Sequence, residues 1–245
     1  MPSCLITGAS SGIGHQLALD YARAGWQVLA VARSTDALEA LAAQHKGIRP
    51  VVADLTRARD VAALCQSIAE SGQPLDLAIL NAGTCIYVDA GDLQLQDFEQ
   101  TFAINFFAIV RLSAALLPLL QQSKQGRLAL VSSLAHYFPF TRAEAYGASK
   151  AAVSYFADSL RVDWADKGVA VSLIEPGFVD TPLTQKNDFA MPFLLSVEDA
   201  SQRMLAGLSK GKPRIRFPKR LVWSLNLLRL LPYPLRIRLA AGMKP

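Results

Sequence analysis

Short apolar runs alternate with helix-length amphipathic stretches along most of this chain. Runs such as LAIL at 77–80 and LALV at 128–131 are continuously apolar, which is typical of parallel strands covered on both faces. We predict strands at residues 3–7, 27–32, 48–53, 75–80, 127–132 and 170–175, and helices near 12–24, 35–45, 57–71, 97–122 and 144–167. The alternation predicts an α/β fold in which helices cover both faces of one doubly wound parallel sheet. We see no linker or repeat, so residues 1–245 are predicted to form a single Rossmann-like domain.

A glycine-rich turn, TGASSGIG, follows the first predicted strand. Gly8 would open the turn, and Gly12 and Gly14 would begin the next helix. A helix N-terminus presents unpaired N–H groups and partial positive charge, and glycines let a pyrophosphate approach that backbone. The turn is therefore a candidate phosphate site, although an ordinary glycine turn between strand and helix is the alternative.

Four further motifs follow in order, each at the end of a predicted strand or on the helix facing it. They are ADL at 53–55, LNAG at 80–83, AYGASK at 145–150 and EPGFVDT at 175–181. Together with the glycine turn, they resemble the short-chain dehydrogenase/reductase family, in its shorter single-domain form with TGxxxGxG and YxxxK motifs. The resemblance covers roughly residues 3–210 and implies an NAD(P)-dependent oxidoreductase that acts on a CH–OH group or the matching carbonyl.

The resemblance also implies a set of cofactor-binding residues. These are Gly8, Ser10, Ser11, Gly12, Ile13, Gly14, Arg33, Asp54, Leu55, Asn81, Ala82, Gly83, Tyr146, Lys150, Pro176, Gly177, Val179 and Thr181. NAD-preferring relatives carry an acid where Ala32 stands, and the arginine that follows has a planar fork that suits phosphate oxygens. We therefore expect NADP(H) to be preferred over NAD(H). Arg33 as a solvated loop residue is the alternative, and a second NADP signal of the family is absent because its position holds Ser11.

The resemblance assigns the catalytic group to Asn105, Ser133, Tyr146 and Lys150. Tyr146 and Lys150 are four residues apart and project from one helix face. A free tyrosine titrates near a pKa of about 10, and a nearby ammonium or an oxidised nicotinamide favours the phenolate and lowers that pKa. In the family, Tyr146 would be the general acid/base, and Lys150 would also hold the nicotinamide ribose.

The serine and the asparagine each have an alternative. The resemblance makes Ser133 the residue that orients the substrate oxygen, whereas Ser132 should point to the opposite side of the strand. Asn105 would anchor a water that links the lysine to solvent, although packing alone would also explain an amide within an apolar helix.

Substrate choice is expected to lie in the loop at residues 178–200 and in the C-terminal tail at 218–245. Phe189, Met191 and Phe193 suit an apolar substrate, with core packing as the alternative, and Ser196 is a plausible N-cap. His136 and Tyr137 are expected to edge the substrate pocket. Cys85 would lie near the nicotinamide, or it is an inert thiol.

The basic tail has three candidate roles. The chain carries a net charge of +5, yet from Ala200 onward it holds eleven lysines or arginines and no acidic residue. The segment LVWSLNLLRLLP at 221–232 is apolar almost all round and falls short of the roughly 20 residues of a membrane span. It would cap the substrate cleft, bury itself in a dimer or lie in a membrane interface with its arginines at the headgroups. We expect residues after Pro218 to bring the active site to a membrane surface or an oily substrate rather than to complete the fold.

The histidine and cysteine patterns bear on metal binding and on the cellular compartment. The three histidines show no metal-ligand spacing, so no metal site is expected, and the three unpaired cysteines are typical of a reducing compartment. We expect a cytoplasmic protein, either free or on the cytoplasmic face of a membrane, which assembles as a homodimer or homotetramer and binds no nucleic acid.

Two other function classes compete with a carbonyl reductase. A non-catalytic cofactor-binding sensor could use the same scaffold, although it would have no need of Tyr146. A sugar-nucleotide epimerase or dehydratase would require a different glycine spacing and a sizeable C-terminal domain. The leading prediction is thus an NADP(H)-dependent reductase of an apolar or lipid-like carbonyl, or the matching alcohol dehydrogenase.

Overall fold

The computed structural model describes residues 1–242, and these contain a seven-stranded parallel sheet. The strands are β1 (Ser3–Thr7), β2 (Gln27–Ala32), β3 (Ile48–Val52), β4 (Leu77–Leu80), β5 (Arg127–Val131), β6 (Ala170–Pro176) and β7 (Arg214–Phe217). Their order across the sheet is β3-β2-β1-β4-β5-β6-β7. The chain therefore winds outward in both directions from β1 and β4, which places a crevice at the carboxyl ends of this central pair. The predicted doubly wound fold is confirmed.

Helices cover both faces of the sheet. They are α1 (Gly12–Arg23), α2 (Thr35–Ala42), α3 (Ala58–Glu70), α4 (Leu95–Phe102), α5 (Ala108–Leu120), α6 (Glu144–Asp163), α7 (Val197–Ser209), α8 (Lys219–Leu230) and α9 (Tyr233–Ala241). A π-helical segment, Ala103–Phe107, joins α4 to α5 without a break. The Ser196 side chain accepts a hydrogen bond from the Asp199 N–H at 3.1 Å, so it caps α7 as the sequence indicated.

Alternating residues of the strands contribute side chains to two apolar cores. Cys4 and Ile6 of β1 pack on the face covered by α1, α2 and α7, whereas Leu5 packs on the face covered by α3, α5 and α6. Because successive side chains of a strand point to opposite faces, a continuously apolar run supplies both cores at once. This explains why a run such as LAIL in β4 is apolar at every position rather than at every second one.

The joined helix at residues 95–120 is long and apolar enough, by length and composition alone, to cross a membrane. The helix reaches this length because the π-helical segment makes α4 and α5 continuous. The finding is weak evidence for a membrane span, since a core helix passes the same test. Leu112 and Leu116 of this helix are fully buried in the second apolar core.

A third apolar cluster lies beyond the sheet and joins the C-terminal tail to the body. Leu221, Val222 and Leu225 of α8 pack with Tyr137 and Phe138, which follow β5. The expectation that residues after Pro218 do not complete the fold is therefore corrected for this face of α8. The last three residues of the predicted tail segment lie outside the described residues.

Candidate active site

A groove of about 760 Å³ opens at the carboxyl edge of the sheet, where β1 and β4 meet. The predicted cofactor residues that line it are Gly8, Ser10, Ser11, Gly12, Ile13, Arg33, Asp54, Leu55, Asn81, Ala82, Gly83, Tyr146, Lys150, Pro176, Gly177, Val179 and Thr181. Gly14 lies beneath the loop and does not line the groove. Segments far apart in sequence thus meet on one surface, because parallel strands end at the same edge.

The glycine turn forms a cradle with no room for side chains. Gly8 has a φ of 70°, and a Cβ added there would lie 2.9 Å from the Cα of Ala82. A Cβ at Gly14 would lie only 2.3 Å from the carbonyl oxygen of Gly8. At the start of α1, Ser11 makes no side-chain capping bond, so the first N–H groups of this helix remain available to a ligand. These features fit the diphosphate of a nicotinamide dinucleotide.

A hydrogen-bonded link, which the sequence did not reveal, fixes the two central strand ends to each other. The Thr7 hydroxyl oxygen accepts bonds from the N–H groups of Asn81 and Ala82 at 2.9 and 3.0 Å. The Asn81 amide donates to the Thr7 carbonyl oxygen at 3.1 Å. A threonine at the last position of β1 was the available signal, since its hydroxyl can satisfy N–H groups where the ladder stops.

Arg33 and Asp54 lie at the far end of the groove, where β2 and β3 end. Arg33 is exposed, and the neighbouring Ser34 caps α2 by accepting a bond from the Ala37 N–H at 3.4 Å. A hydrogen bond from the Thr56 hydroxyl lowers the pKa of Asp54 below its ordinary value. The end of the groove therefore presents an exposed guanidinium beside a carboxylate that already accepts hydrogen bonds from Thr56.

Tyr146 and Ser133 stand at the inner end of the groove. Desolvation raises the pKa of Tyr146 to about 12, although a hydrogen bond with Ser133 lowers it in part. The expected lowering of this pKa by Lys150 is therefore not met in the protein alone, where desolvation is the largest influence and Ser133 supplies the lowering. The Ser133 hydroxyl oxygen accepts a bond from the Ala135 N–H at 3.1 Å, which orients this side chain at the end of β5.

Lys150 is buried one turn along α6 from the tyrosine. Its Nζ atom donates a hydrogen bond to the Val131 carbonyl oxygen at 3.0 Å and lies 5.7 Å from the centre of the Tyr146 ring. Burial lowers the pKa of this ammonium to about 8. The lysine is therefore held by the end of β5 and can lose its proton more readily than an exposed lysine.

Asn105 is fully buried in the π-helical segment and bonds on several sides. Its Oδ1 atom accepts from the Thr84 N–H at 2.8 Å, and its Nδ2 atom donates to the Thr84 carbonyl oxygen at 2.9 Å. Nδ2 also donates to the Ser149 hydroxyl oxygen at 3.0 Å. The amide thus ties the loop after β4 to α6 and sets the distance between the walls of the groove.

Ser132 turns away from the position of Ser133, as the sequence indicated. Its hydroxyl donates to the Lys150 carbonyl oxygen at 2.7 Å and accepts from the Ser154 hydroxyl at 2.8 Å. Ser154 also lies 3.0 Å from Nε2 of His136. A chain of polar contacts therefore runs from the end of β5 into the protein interior.

That chain ends at Glu175, which is 0% exposed. Glu175 lies 2.8 Å from Nε2 of His136 and accepts two bonds from Arg214 at 2.6 and 3.0 Å. Burial alone would raise the pKa of Glu175, but the bonds from His136 and Arg214 lower it overall. The prediction that His136 and Tyr137 edge the substrate pocket is wrong, because both face this carboxylate; the Tyr137 hydroxyl lies 3.4 Å from it.

A smaller, mostly apolar pocket of about 100 Å³ adjoins the groove. Its walls are Cys85, Tyr87, Ser133, Leu134, Ala135, Phe140, Thr141, Ala143, Tyr146, Gly177, Phe178, Leu183, Thr184, Asn187, Phe189, Leu221 and Leu225. Phe189 is thus in the pocket, whereas Met191 and Phe193 are not. Burial raises the pKa of Cys85 to about 11, so this thiol stays protonated at neutral pH. Leu221 and Leu225 bring α8 to this pocket, which agrees with the candidate role of the tail as a cap on the cleft, although the sequence did not single out these two leucines.

Comparisons with known proteins agree with this geometry. The family model described as short chain dehydrogenase matches residues 3–191. An uncharacterized oxidoreductase of Myxococcus xanthus is 38% identical over 237 residues, which are 95% of this chain and 94% of that protein. The NADPH-dependent 1-acyldihydroxyacetone phosphate reductase of Schizosaccharomyces pombe is 35% identical over 184 residues, 74% of this chain and 61% of that protein. A short-chain dehydrogenase from Sphingobium yanoikuyae, solved in complex with NADPH, has a TM-score of 0.83 at 27% identity and covers 100% of this chain and 97% of its own.

The sheet, the groove at its switch point and these similarities define a nicotinamide-dependent oxidoreductase. Within that class, the chain belongs to the short-chain dehydrogenase/reductase family. It is an NAD(P)-dependent enzyme with a groove for the nicotinamide cofactor.

Proposed function

We propose that this enzyme reduces an apolar or lipid-like carbonyl compound with NADPH, or oxidises the matching alcohol with NADP⁺. One observation carries the proposal: Ser133 and Tyr146 belong to the walls of both the cofactor groove and the apolar pocket. A carbonyl group placed between the two cavities would therefore meet a hydroxyl pair on one side and the cofactor on the other.

The roles of the side chains follow from their positions. When bound, the nicotinamide supplies or accepts the hydride. Ser133 donates a hydrogen bond to the substrate oxygen and holds it, while Tyr146 gives its phenolic proton to that oxygen in reduction and takes it back in oxidation. Lys150, held by Val131, binds the nicotinamide ribose and supports the phenolate by its charge. Asn105 positions the loop and the helix between which these groups act.

The preference for NADP(H) is proposed from Arg33. Its side chain is exposed at the end of β2, and no acidic residue stands at the preceding position, Ala32. A guanidinium binds phosphate oxygens through two parallel hydrogen bonds, whereas a free 2′-hydroxyl is better served by a carboxylate. The other residues that the sequence predicts to bind the cofactor or to take part in catalysis keep those roles in this proposal.

The apolar substrate is proposed from the pocket walls. Phe140, Phe178, Phe189, Leu221 and Leu225 leave the Ser133 and Tyr146 hydroxyls among few polar groups. Burial of an alkyl chain contributes roughly 0.8 kcal/mol per methylene group, so chain length should govern affinity here. The similarity to a reductase whose name specifies an acyl compound supports this class of substrate.

We also propose that two copies associate through α5 and α6 and that the enzyme works in the cytoplasm. Phe107, which immediately precedes α5, and Tyr155 and Val162 of α6 expose large apolar side chains, which favours an interface. Cys4, Cys65 and Cys85 are free thiols, which is typical of a reducing compartment.

The test is the oxidation of NADPH in the presence of aldehydes and ketones of graded chain length. We expect kcat/KM to rise with chain length until the pocket is filled, and NADH to support a much lower rate. Background rates with every carbonyl, combined with tight NADPH binding, would instead favour the cofactor-binding sensor.

A further inference from the structure

We propose that α8 and α9 form a membrane-binding surface that docks on bilayers containing anionic phospholipid. We call it the α8–α9 surface; it comprises the exposed side chains of residues 219–241. Entry of the substrate into the pocket from the bilayer would follow from this docking, and that consequence rests on the proposed function.

The outward side of α8 is apolar although it faces solvent. Trp223, Leu227 and Leu230 are spaced by four and three residues, and their side chains are 76%, 66% and 81% exposed. This spacing places them along one face of the helix. A contiguous apolar face of this kind marks an interaction site on a protein surface.

The next helix adds further exposed apolar side chains on several of its sides. Tyr233, Leu235, Ile237 and Leu239 of α9 are all exposed, and only Ala240 among the residues of α9 is buried. Tryptophan and tyrosine are the side chains that favour the headgroup level of a bilayer, and leucine and isoleucine favour the acyl boundary. The composition of the exposed side chains therefore matches an interfacial helix pair.

The charges of this segment all have one sign. Lys219, Arg220, Arg229, Arg236 and Arg238 lie within α8 and α9, and no acidic residue follows Asp199 in the chain. Basic side chains beside an apolar face bind the negative surface of a membrane that contains anionic lipid. Charge complementarity thus selects an anionic bilayer as the partner.

The position of the surface connects it to the pocket. Leu221 and Leu225, on the inner side of α8, line the apolar pocket, while Trp223 and Leu227 point outward from the same two turns. One helix therefore separates the substrate cavity from the proposed bilayer. An apolar substrate dissolved in the membrane would reach the pocket by passing around a single helix rather than through water.

A second copy of the chain fits this surface less well. A twofold interface brings the same patch of both subunits together, so the exposed Lys219, Arg220 and Arg238 would face three more basic residues. The exposed side chains of Phe107, Tyr155 and Val162 offer a different face for self-association, as proposed above. The membrane is therefore the partner that satisfies both the apolar side chains and the charge.

The test is sedimentation of the full-length protein with vesicles of phosphatidylcholine, with and without phosphatidylglycerol. The apolar variant carries Trp223→Gln, Leu227→Gln and Leu230→Gln, and the charge variant carries Lys219→Gln, Arg220→Gln and Arg238→Gln. The matched control carries Leu93→Gln and Leu95→Gln, since these leucines are also 61% and 71% exposed but lie at the start of α4. Tryptophan fluorescence gives a second readout because Trp164 is buried and Trp26 is partly buried.

We expect the unaltered protein and the control to bind anionic vesicles, with a blue shift of fluorescence that disappears in Trp223→Phe. The apolar variant should bind at least about tenfold more weakly, and the charge variant should lose the preference for anionic lipid. Equal binding by all variants, or no binding at physiological salt, would overturn the proposal. A change of oligomeric state in the apolar variant, without a change in vesicle binding, would assign the surface to a second copy. Vesicle binding needs no turnover, so its failure is distinguishable from a failure of the proposed reaction.

Discussion

Lys150 extends its Nζ atom toward the carbonyl oxygen of Val131, 3.0 Å away, while the centre of the Tyr146 ring lies 5.7 Å from that nitrogen. The ammonium is thus held by the end of a strand and not by the phenol. Burial lowers the pKa of Lys150 to about 8 and raises that of Tyr146 to about 12. In the protein alone, the tyrosine is therefore protonated at neutral pH, which is the state required to donate a proton to a carbonyl oxygen.

Replacing Tyr146 with phenylalanine should abolish nearly all reductase activity and leave NADPH binding largely intact. The ring would still fill its place between the groove and the pocket, while the proton donor would be lost. We expect kcat to fall by roughly 10²–10⁴-fold, the usual contribution of a positioned acid. Turnover is followed by NADPH oxidation and binding by titration; unaltered turnover would refute the role of Tyr146.

Arg33→Asp should shift the cofactor preference from NADPH toward NADH. A charge-assisted contact with phosphate contributes roughly 1.5–3 kcal/mol, which corresponds to about a ten- to hundredfold change in NADPH affinity. Dissociation constants for both cofactors provide the measurement, with Arg59→Asp as a control, because Arg59 is exposed on α3 and does not line the groove. An unchanged ratio of the two constants would mean that another residue reads the phosphate.

Gly14→Ala should weaken both folding and cofactor binding. The added methyl group would lie 2.3 Å from the Gly8 carbonyl oxygen, so the glycine turn and α1 would have to separate. Overpacking of this kind costs typically about 1–3 kcal/mol of unfolding free energy. Urea unfolding and NADPH titration measure the two effects. Gly91→Ala is the control, since its nearest neighbour, an Asp89 oxygen, lies at 3.4 Å; equal behaviour of the two variants would contradict the packing argument.

Glu175→Gln should destabilise the protein at neutral pH and reduce its sensitivity to acid. The folded-state pKa of Glu175 lies below the ordinary value, so the folded protein binds fewer protons here than the unfolded chain. The carboxylate thus contributes stability above about pH 4.5, and this contribution is lost as the pH falls through the folded-state pKa. We expect a loss of about 1–3 kcal/mol at pH 7, since Arg214 keeps some access to water. Urea midpoints at pH 7 and pH 4 measure it; parallel losses in both proteins on acidification would exclude Glu175 as the source.

A chain ending at Pro218 should unfold at a lower temperature than the full chain. Removal of α8 would expose Leu134, Tyr137 and Phe138, which pack with its inner face in the third apolar cluster. Thermal unfolding followed by circular dichroism provides the measurement. An unchanged melting temperature would show that this cluster contributes little and would restore the expectation drawn from the sequence alone.

The sequence predicted the sheet well because apolar runs bounded by turns identify buried strands. β1 and β2 begin and end where the pattern placed them, whereas β4 begins at Leu77 rather than at residue 75. Leu75 is buried without belonging to the ladder. A run of apolar residues therefore predicts which residues are buried. The bounds of a strand are set by its hydrogen bonds, and they match the bounds of the apolar run only approximately.

The motif residues converge because each follows a strand or faces one, and this could be predicted from the alternation alone. The contacts of Glu175 with His136 and Arg214 could not, since the three residues come from separate segments and share no spacing. The same holds for α8: its sequence is apolar almost all round from Leu221 onward, and only the fold shows that Leu221 covers a pocket while Trp223 is exposed. Contacts between single side chains that are far apart in the sequence produce no repeating pattern from which they could be predicted.

The π-helical segment Ala103–Phe107 fixes the rotational phase between two parts of one helix. Asn105 within it reaches Thr84 and Ser149, while Leu112 and Leu116 beyond it enter the second core. One residue of an α-helix corresponds to a rotation of about 100°, so deleting a single residue here would turn the two parts against each other by that angle. Either the amide or the leucines would then face the wrong way. The number of residues in this helix, and not only the identity of its side chains, therefore sets the alignment of the active site with the core.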